Sequence, residues 1–167
     1  SEPLEEEALR TWLGGRGLGV HLMKEFISLD PFDEPMPLFF SVGPLCGTAA
    51  PTSSRMSLVS RSPLTGTIFD SSVGGTFPLK LKQAGFDAIM ITGRASDPVY
   101  LEISEGRAVI KDASWLWGKG CIEVNKLLDG YIAKHDTDRW AKWLKGRALL
   151  AAGERKAAAS QFKIAGE

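Results

Sequence analysis

The sequence predicts a fold of the α+β class. Three observations point there: short apolar runs of strand length, brief helices that end at glycines, and hydroxyl-rich glycine turns between them. Residues 5–13 form a helix, with Glu5, Glu6 and Glu7 suited to its positive N-terminal end and Gly14-Gly15 to stop it. Gly15-Arg16-Gly17-Leu18-Gly19 reads as a turn leading into a helix over 20–26. After the extended, proline-bearing segment with Pro31, Pro35 and Pro37, Leu38–Val42 is a buried strand. Residues 55–60 alternate apolar and polar side chains as a half-buried strand does, and 66–69 is a further short strand. Asp70–Gly75 is expected to be the tightest turn, before a helix over 78–84 that Gly85 closes. Residues 88–93 are a continuous apolar strand, and 99–103 with 108–110 form a hairpin across Glu105-Gly106. Trp115 and Trp117, in a turn over 112–120, are expected to plug the core, and 122–133 is a helix.

At 167 residues the chain is one domain, or one domain with an appendage, and 44% hydrophobic residues suffice for a core. Lys plus Arg (20) balances Asp plus Glu (20), so no global field draws in nucleic acid or an anionic membrane. No apolar run reaches the roughly 18 residues needed to span a bilayer. Cys46 and Cys121 stand far apart, in no metal-type spacing, and fit a reducing cytoplasm better than a disulfide scaffold. The chain opens Ser1-Glu2-Pro3 without methionine, so residues ahead of it, with any targeting segment, are expected to be missing.

Candidate chemistry concentrates between Gly43 and Gly75, where three glycine turns surround Arg55. Such turns let backbone N–H groups converge on an anion, and a guanidinium adds a planar, bidentate clamp. Taken singly, each is equally a tight turn in a β-rich domain. The 15–19 segment is open in the same way: a phosphate-binding helix start aided by Arg16, or a helix–helix corner. It lacks the dinucleotide fingerprint, since no strand precedes it and the glycine spacing differs. His21, beside Leu22 and Met23, reads as packed or surface histidine rather than a metal ligand.

Several motifs, in order, resemble the N-terminal domain of the tungsten-dependent aldehyde:ferredoxin oxidoreductase family. They are Trp12-Leu13-Gly14-Gly15-Arg16-Gly17-Leu18-Gly19, Gly43-Pro44-Leu45-Cys46-Gly47-Thr48-Ala49-Ala50-Pro51-Thr52, Arg55, and Arg61-Ser62-Pro63-Leu64-Thr65-Gly66. Gly74-Gly75 with Phe77, then Leu81-Lys82-Gln83-Ala84-Gly85-Phe86-Asp87-Ala88-Ile89, follow. Pro98-Val99-Tyr100-Leu101, Ile110-Lys111-Asp112-Ala113-Ser114 and Leu116-Trp117-Gly118-Lys119 complete the series, so the resemblance spans residues 9–133. It implies an α+β unit with two related mixed sheets, a platform under a bis-pyranopterin tungsten cofactor or its molybdenum analogue. It implies aldehyde oxidation to a carboxylate with electrons passed to ferredoxin, Arg55 lying between pterin and a 4Fe-4S cluster. Ser72, Gly74 and Gly75 match the loop at the pterin phosphates, with the Ser72 backbone at a magnesium ion.

Two departures shape the expectation. The family usually carries asparagine where Ser72 stands, which leaves a backbone contact but not the usual side-chain one. Its members are several times longer, and their later domains hold the cluster cysteines and the acid–base residues near the metal. Two distant cysteines cannot supply the four thiolates of a cluster. The strands that precede the first helix are missing as well. The chain is therefore expected to be a fragment or one piece of a split enzyme, inactive alone, with no catalytic residue of its own. Its expected partners are the remaining domains or subunit, ferredoxin, an aldehyde and a second copy in a homodimer, in the cytoplasm.

Composition changes near residue 135, which sets expected domains at 1–134 and 135–167. The tail reads as two helices, 138–152 and 155–164, with Gly146, Leu149, Ala158, Phe162 and Ala165 at the spacing of a single tetratricopeptide-like hairpin. A non-catalytic interaction module docking a partner through that tail is the alternative function. A plain phosphate or nucleotide binder built on the glycine turns is a third.

Overall fold

The computed structural model describes residues 3–104 and 106–134, so both expected tail helices and the tetratricopeptide-like hairpin lie outside the described residues. Its secondary structure is α+β. The elements run α1 (Glu6–Trp12), α2 (Gly15–Met23), a 3₁₀ turn (Lys24–Phe26), β1 (Leu38–Val42), β2 (Met56–Arg61), β3 (Ile68–Val73), α3 (Phe77–Gln83), β4 (Ala88–Ile91), β5 (Val99–Ser104), β6 (Arg107–Asp112) and α4 (Cys121–Lys134). Four strands form one sheet in the order β3-β2-β1-β4, and β5 and β6 form a second. Every pairing is antiparallel, so the expectation of mixed sheets is corrected: the strands are joined by turns and hairpins, and no parallel crossover arises among the described residues.

Among the described residues the fold divides into two units, the first ending at Ala113 and the second beginning at Ser114. In the first, α2 and α3 cover opposite faces of the larger sheet. Cross-strand partners share a face, so Phe39 with Val59 and Ser41 with Ser57 stand on one side. Met23, Phe39 and Val59 form a buried cluster there, with Val20, Leu22 and Phe26 packed against it. On the other side Val42, Cys46 and Met56 enclose Leu81 of α3, with Phe40, Leu58 and Ile89 around them.

The α2 contact is unusually close. A Cβ at Gly19 would stand 2.6 Å from Val59 Cγ2 and 3.0 Å from Ser41 Oγ. The Ser41 hydroxyl donates to the Gly15 carbonyl at 2.6 Å, which ties the buried strand to the helix. The glycines of 15–19 are therefore mostly helix rather than the expected turn: their small size lets the backbone reach the sheet. The turn starts two residues earlier and runs through Leu13 (φ 56°), Gly14 (φ 95°) and Gly15 (φ 54°).

In the second unit, Trp115 lies 6.3 Å from the Tyr131 ring, ring centre to ring centre. Trp117 is 76% exposed and plugs no core, because its turn holds the indole outside any apolar cluster of the described residues. Lys119 and Glu123 pair across the first turn of α4 at 2.8 Å. No helix among the described residues is long and apolar enough to cross a membrane.

The close contact gives a paired prediction. Gly19→Ala lowers stability by about 1–3 kcal/mol in chemical denaturation, overlap with Val59 outweighing the helix propensity gained. Gly130→Ala, in α4 with nothing within 4 Å of the new methyl, raises stability by up to about 1 kcal/mol.

Candidate functional site

Strand register builds the site. Val42, Met56 and Val73 stand side by side across β1, β2 and β3. The next row outward is therefore Gly43 after β1, Arg55 before β2 and Gly74 after β3, since antiparallel pairing reverses the count on the middle strand. Two of the three glycine turns read in the sequence, those beginning at Gly43 and Gly74, thus meet at one end of one sheet; the third, 62–66, joins β2 to β3 at the other end, so it does not surround Arg55 as expected.

Arg55 is exposed, and its Nη1 donates to Ser72 Oγ over a long 3.4 Å. No carboxylate pairs with it among the described residues. The second guanidinium nearby is neutralised: Arg16 Nε donates to Asp70 Oδ2 at 2.8 Å. Asp70 and Ser72 alternate onto the α2 side of β3, opposite Val59 and Ser57. Arg55 is therefore the uncompensated cation of this end.

The expected turn over 70–75 is shorter than the sequence suggests. Ile68–Val73 is strand, Ser72 stands inside it opposite Ser57, and Gly74, Gly75 and Thr76 link it to α3. Gly75 needs its residue type for conformation, at φ 99°. Gly74 and Gly43 do not: neither has a positive φ, and a Cβ on either would meet nothing within 4 Å. Neither local conformation nor packing within the described residues calls for glycine there.

The N-terminal end of α2 opens toward the same row. A side chain on Gly14 would strike the Val42 carbonyl, with Gly43 Cα 3.1 Å away, while Gly19 lies farther down the sheet beside Val59. No side chain caps this helix, so its first N–H groups and positive dipole face the Gly43 end. Gly43 and the Arg16–Asp70 link were not singled out from the sequence as site partners. The signal for Gly43 was its place at the end of an apolar strand, which becomes informative only once register is known.

His21 stacks on Trp12, rings 5.1 Å apart, as a packed histidine. Among the described residues no group of three or more His, Cys, Asp or Glu could hold a metal ion. Cys46 is 1% exposed, and burial pushes its thiol above the usual range against the opposing pull of the Lys82 charge and the Ser54 hydroxyl. Cys121 is exposed.

Comparison with known proteins identifies the domain. Residues 1–160 match the family described as aldehyde ferredoxin oxidoreductase, N-terminal domain. The chain belongs to this family. It is 46% identical over 129 residues to a tungsten-containing aldehyde ferredoxin oxidoreductase of Pyrococcus abyssi, covering 76% of this chain and 21% of the relative. It is 36% identical over 148 residues to an aliphatic sulfonate oxidoreductase, WOR-like subunit, of Pyrococcus furiosus, covering 86% of this chain and 23% of that one. A solved structure, the active site complex BamBC of benzoyl coenzyme A reductase with 1,5-dienoyl-CoA, matches with TM-score 0.74 and 31% identity, over 79% of this chain and 20% of the other. The chain spans about a fifth of the length of the relatives it matches. The match also runs past residue 134, where composition changes.

The buried thiol yields a pH prediction. Unfolded, Cys46 ionises in the ordinary thiol range near about 8.5, but folded it ionises higher, so folding holds the proton. Its contribution is complete below that range and is lost as pH rises through the folded value. Denaturation midpoints fall with alkaline pH, and Cys46→Ala flattens that fall. An alkylating reagent at neutral pH labels Cys121 and spares Cys46 until the chain unfolds.

Proposed function

We propose that the chain is the cofactor-binding domain of an aldehyde:ferredoxin oxidoreductase-type enzyme. Its Gly43–Arg55–Gly74 end would hold a tungsten bis-pyranopterin or the molybdenum analogue. The observation that carries this reading is Arg55, an exposed guanidinium with no carboxylate partner among the described residues, flanked in register by two glycines open at the Cβ position. These residues fit a flat, phosphate-bearing group. A guanidinium matches phosphate oxygens bidentately, side-chain-free backbone permits close approach, and an uncapped helix start favours negative charge. The names of the relatives supply tungsten and the aldehyde.

Within this reading each residue has a defined part. Arg55 binds phosphate or ring edge, with Ser72 steadying its guanidinium and the Ser72 backbone reaching a magnesium ion. Gly74 and Gly75 bring main-chain N–H groups to the phosphates, and Arg16, already held by Asp70, keeps the helix start fixed beside them. When bound, the group would supply the two-electron oxidation of an aldehyde with water to a carboxylate, three protons and two electrons, the electrons leaving through a 4Fe-4S cluster to ferredoxin. Four thiolates are needed for that cluster, and the chain holds two cysteines, one of them buried. The cluster ligands and the acid–base residues therefore belong to the further polypeptide, in an enzyme placed in the cytoplasm.

The test is metal analysis of the assembled enzyme. Arg55→Ala lowers tungsten and pterin content at least tenfold at an unchanged melting temperature, as expected for loss of a charge-assisted pair of about 1.5–3 kcal/mol. Arg55→Lys retains an intermediate content. Full tungsten content in Arg55→Ala, or unfolding in its place, contradicts the reading.

A further inference from the structure

At the end of the larger sheet away from Arg55 lies a second feature, a cavity of about 570 Å³. Leu38 of β1 and Phe69 of β3 line its floor from the α3 side of the sheet, with Met36 beside them. Its wall is the 31–37 segment, which the Gly93 N–H pins to β4 by donating to the Glu34 carbonyl at 3.0 Å. Phe32 stands on the rim, 83% exposed, and Phe69 is 41% exposed. The sheet face continues apolar from there to β4, where Ile91 is 43% exposed. Register places Phe69 and Ile91 on the side that α3 covers only at its other half, over Val42 and Met56. The rim carries both signs, Glu34 and Arg94, and neither side chain is ion-paired among the described residues.

A small ligand buries most of its surface in its pocket, which a hollow rimmed by a phenylalanine this exposed does not provide. A continuous apolar patch edged with charge is instead the mark of a docking face. We infer that this half-open sheet face is the seat of an apolar segment from the further part of the oxidoreductase polypeptide. That segment carries an acidic side chain for Arg94 beside its apolar anchors. Two observations choose this occupant over a second copy. The domain makes up about a fifth of each relative it matches, so in them a much larger body adjoins it. And the face lies at the opposite end of the sheet from the Gly43–Arg55–Gly74 row, so docking here leaves that row open. The inference rests on family membership and not on the cofactor reading.

The test co-expresses the 167-residue chain with the remaining part of an aldehyde ferredoxin oxidoreductase as a separate, tagged chain. Hydrogen exchange over residues 31–38 and 68–73 slows at least tenfold in the complex. Phe32→Asp and Arg94→Glu each weaken association at least tenfold while the melting temperature of the 167-residue chain is unchanged, as suits exposed positions. Undiminished association of both variants overturns the inference, as does absence of association or protection confined to other segments. A dimer of the 167-residue chain alone that protects 31–38 and 68–73 also overturns it, in favour of a second copy. Tungsten content of the same complex separates the two readings: tight, variant-sensitive association without tungsten refutes the cofactor reading alone.

Discussion

The approach of α2 to the four-stranded sheet sets what the rest of the first unit can be. Gly19 leaves room for Val59 and Ser41, and the Ser41 hydroxyl anchors the helix through the Gly15 carbonyl at 2.6 Å. A helix that sat a methyl group farther out would leave a gap beside Val59 and break that hydrogen bond, at the cost of the close packing that interiors require. Because the helix is fixed along the strands, its uncapped start is fixed too, beside Gly43. One small-residue contact thus stabilises the fold and orients a helix start beside the Arg55 row.

The sheet then has two ends of different character. One gathers main-chain N–H groups, an unpaired guanidinium and glycines without an internal reason for their identity, and so suits a flat anion. The other gathers phenylalanines and unpaired rim charges, and so suits another part of a protein. The separation follows from the antiparallel register, since strand ends and strand starts alternate along each edge. The division is compatible with a domain that holds a cofactor on one side and adjoins a larger body on another.

Much of this was legible in the sequence where local preference and tertiary demand agree. Leu38–Val42 is apolar except at Ser41, begins after proline and ends at glycine, and it forms as read. The 99–112 hairpin, with Glu105-Gly106 between apolar runs, is equally plain. The β3 strand was not legible beyond Phe69, because Asp70, Ser71 and Ser72 are poor strand formers. It pairs through Val73 because it is an edge strand, exposed on most positions, with Asp70 satisfied by Arg16. The start of α2 misled for a different reason: glycine signals a turn locally, yet Gly17 and Gly19 serve close packing inside a helix. For the site, Arg55 and the Gly74-Gly75 link stood out in the sequence. Gly43 stood out only as the start of the glycine-rich stretch, since its partnership with them exists only through register.

On the proposed cofactor reading, Gly43 and Gly74 are glycine for the sake of a group outside the chain. Tungsten and pterin content of the assembled enzyme carrying Gly43→Val and Gly74→Val, read beside the melting temperature of the 167-residue chain, tests it directly. The account predicts a melting temperature within a few degrees of the parent, because both positions have open space and ordinary backbone angles, and loss of nearly all bound cofactor. Cofactor retained at the parent level in the double variant would contradict it.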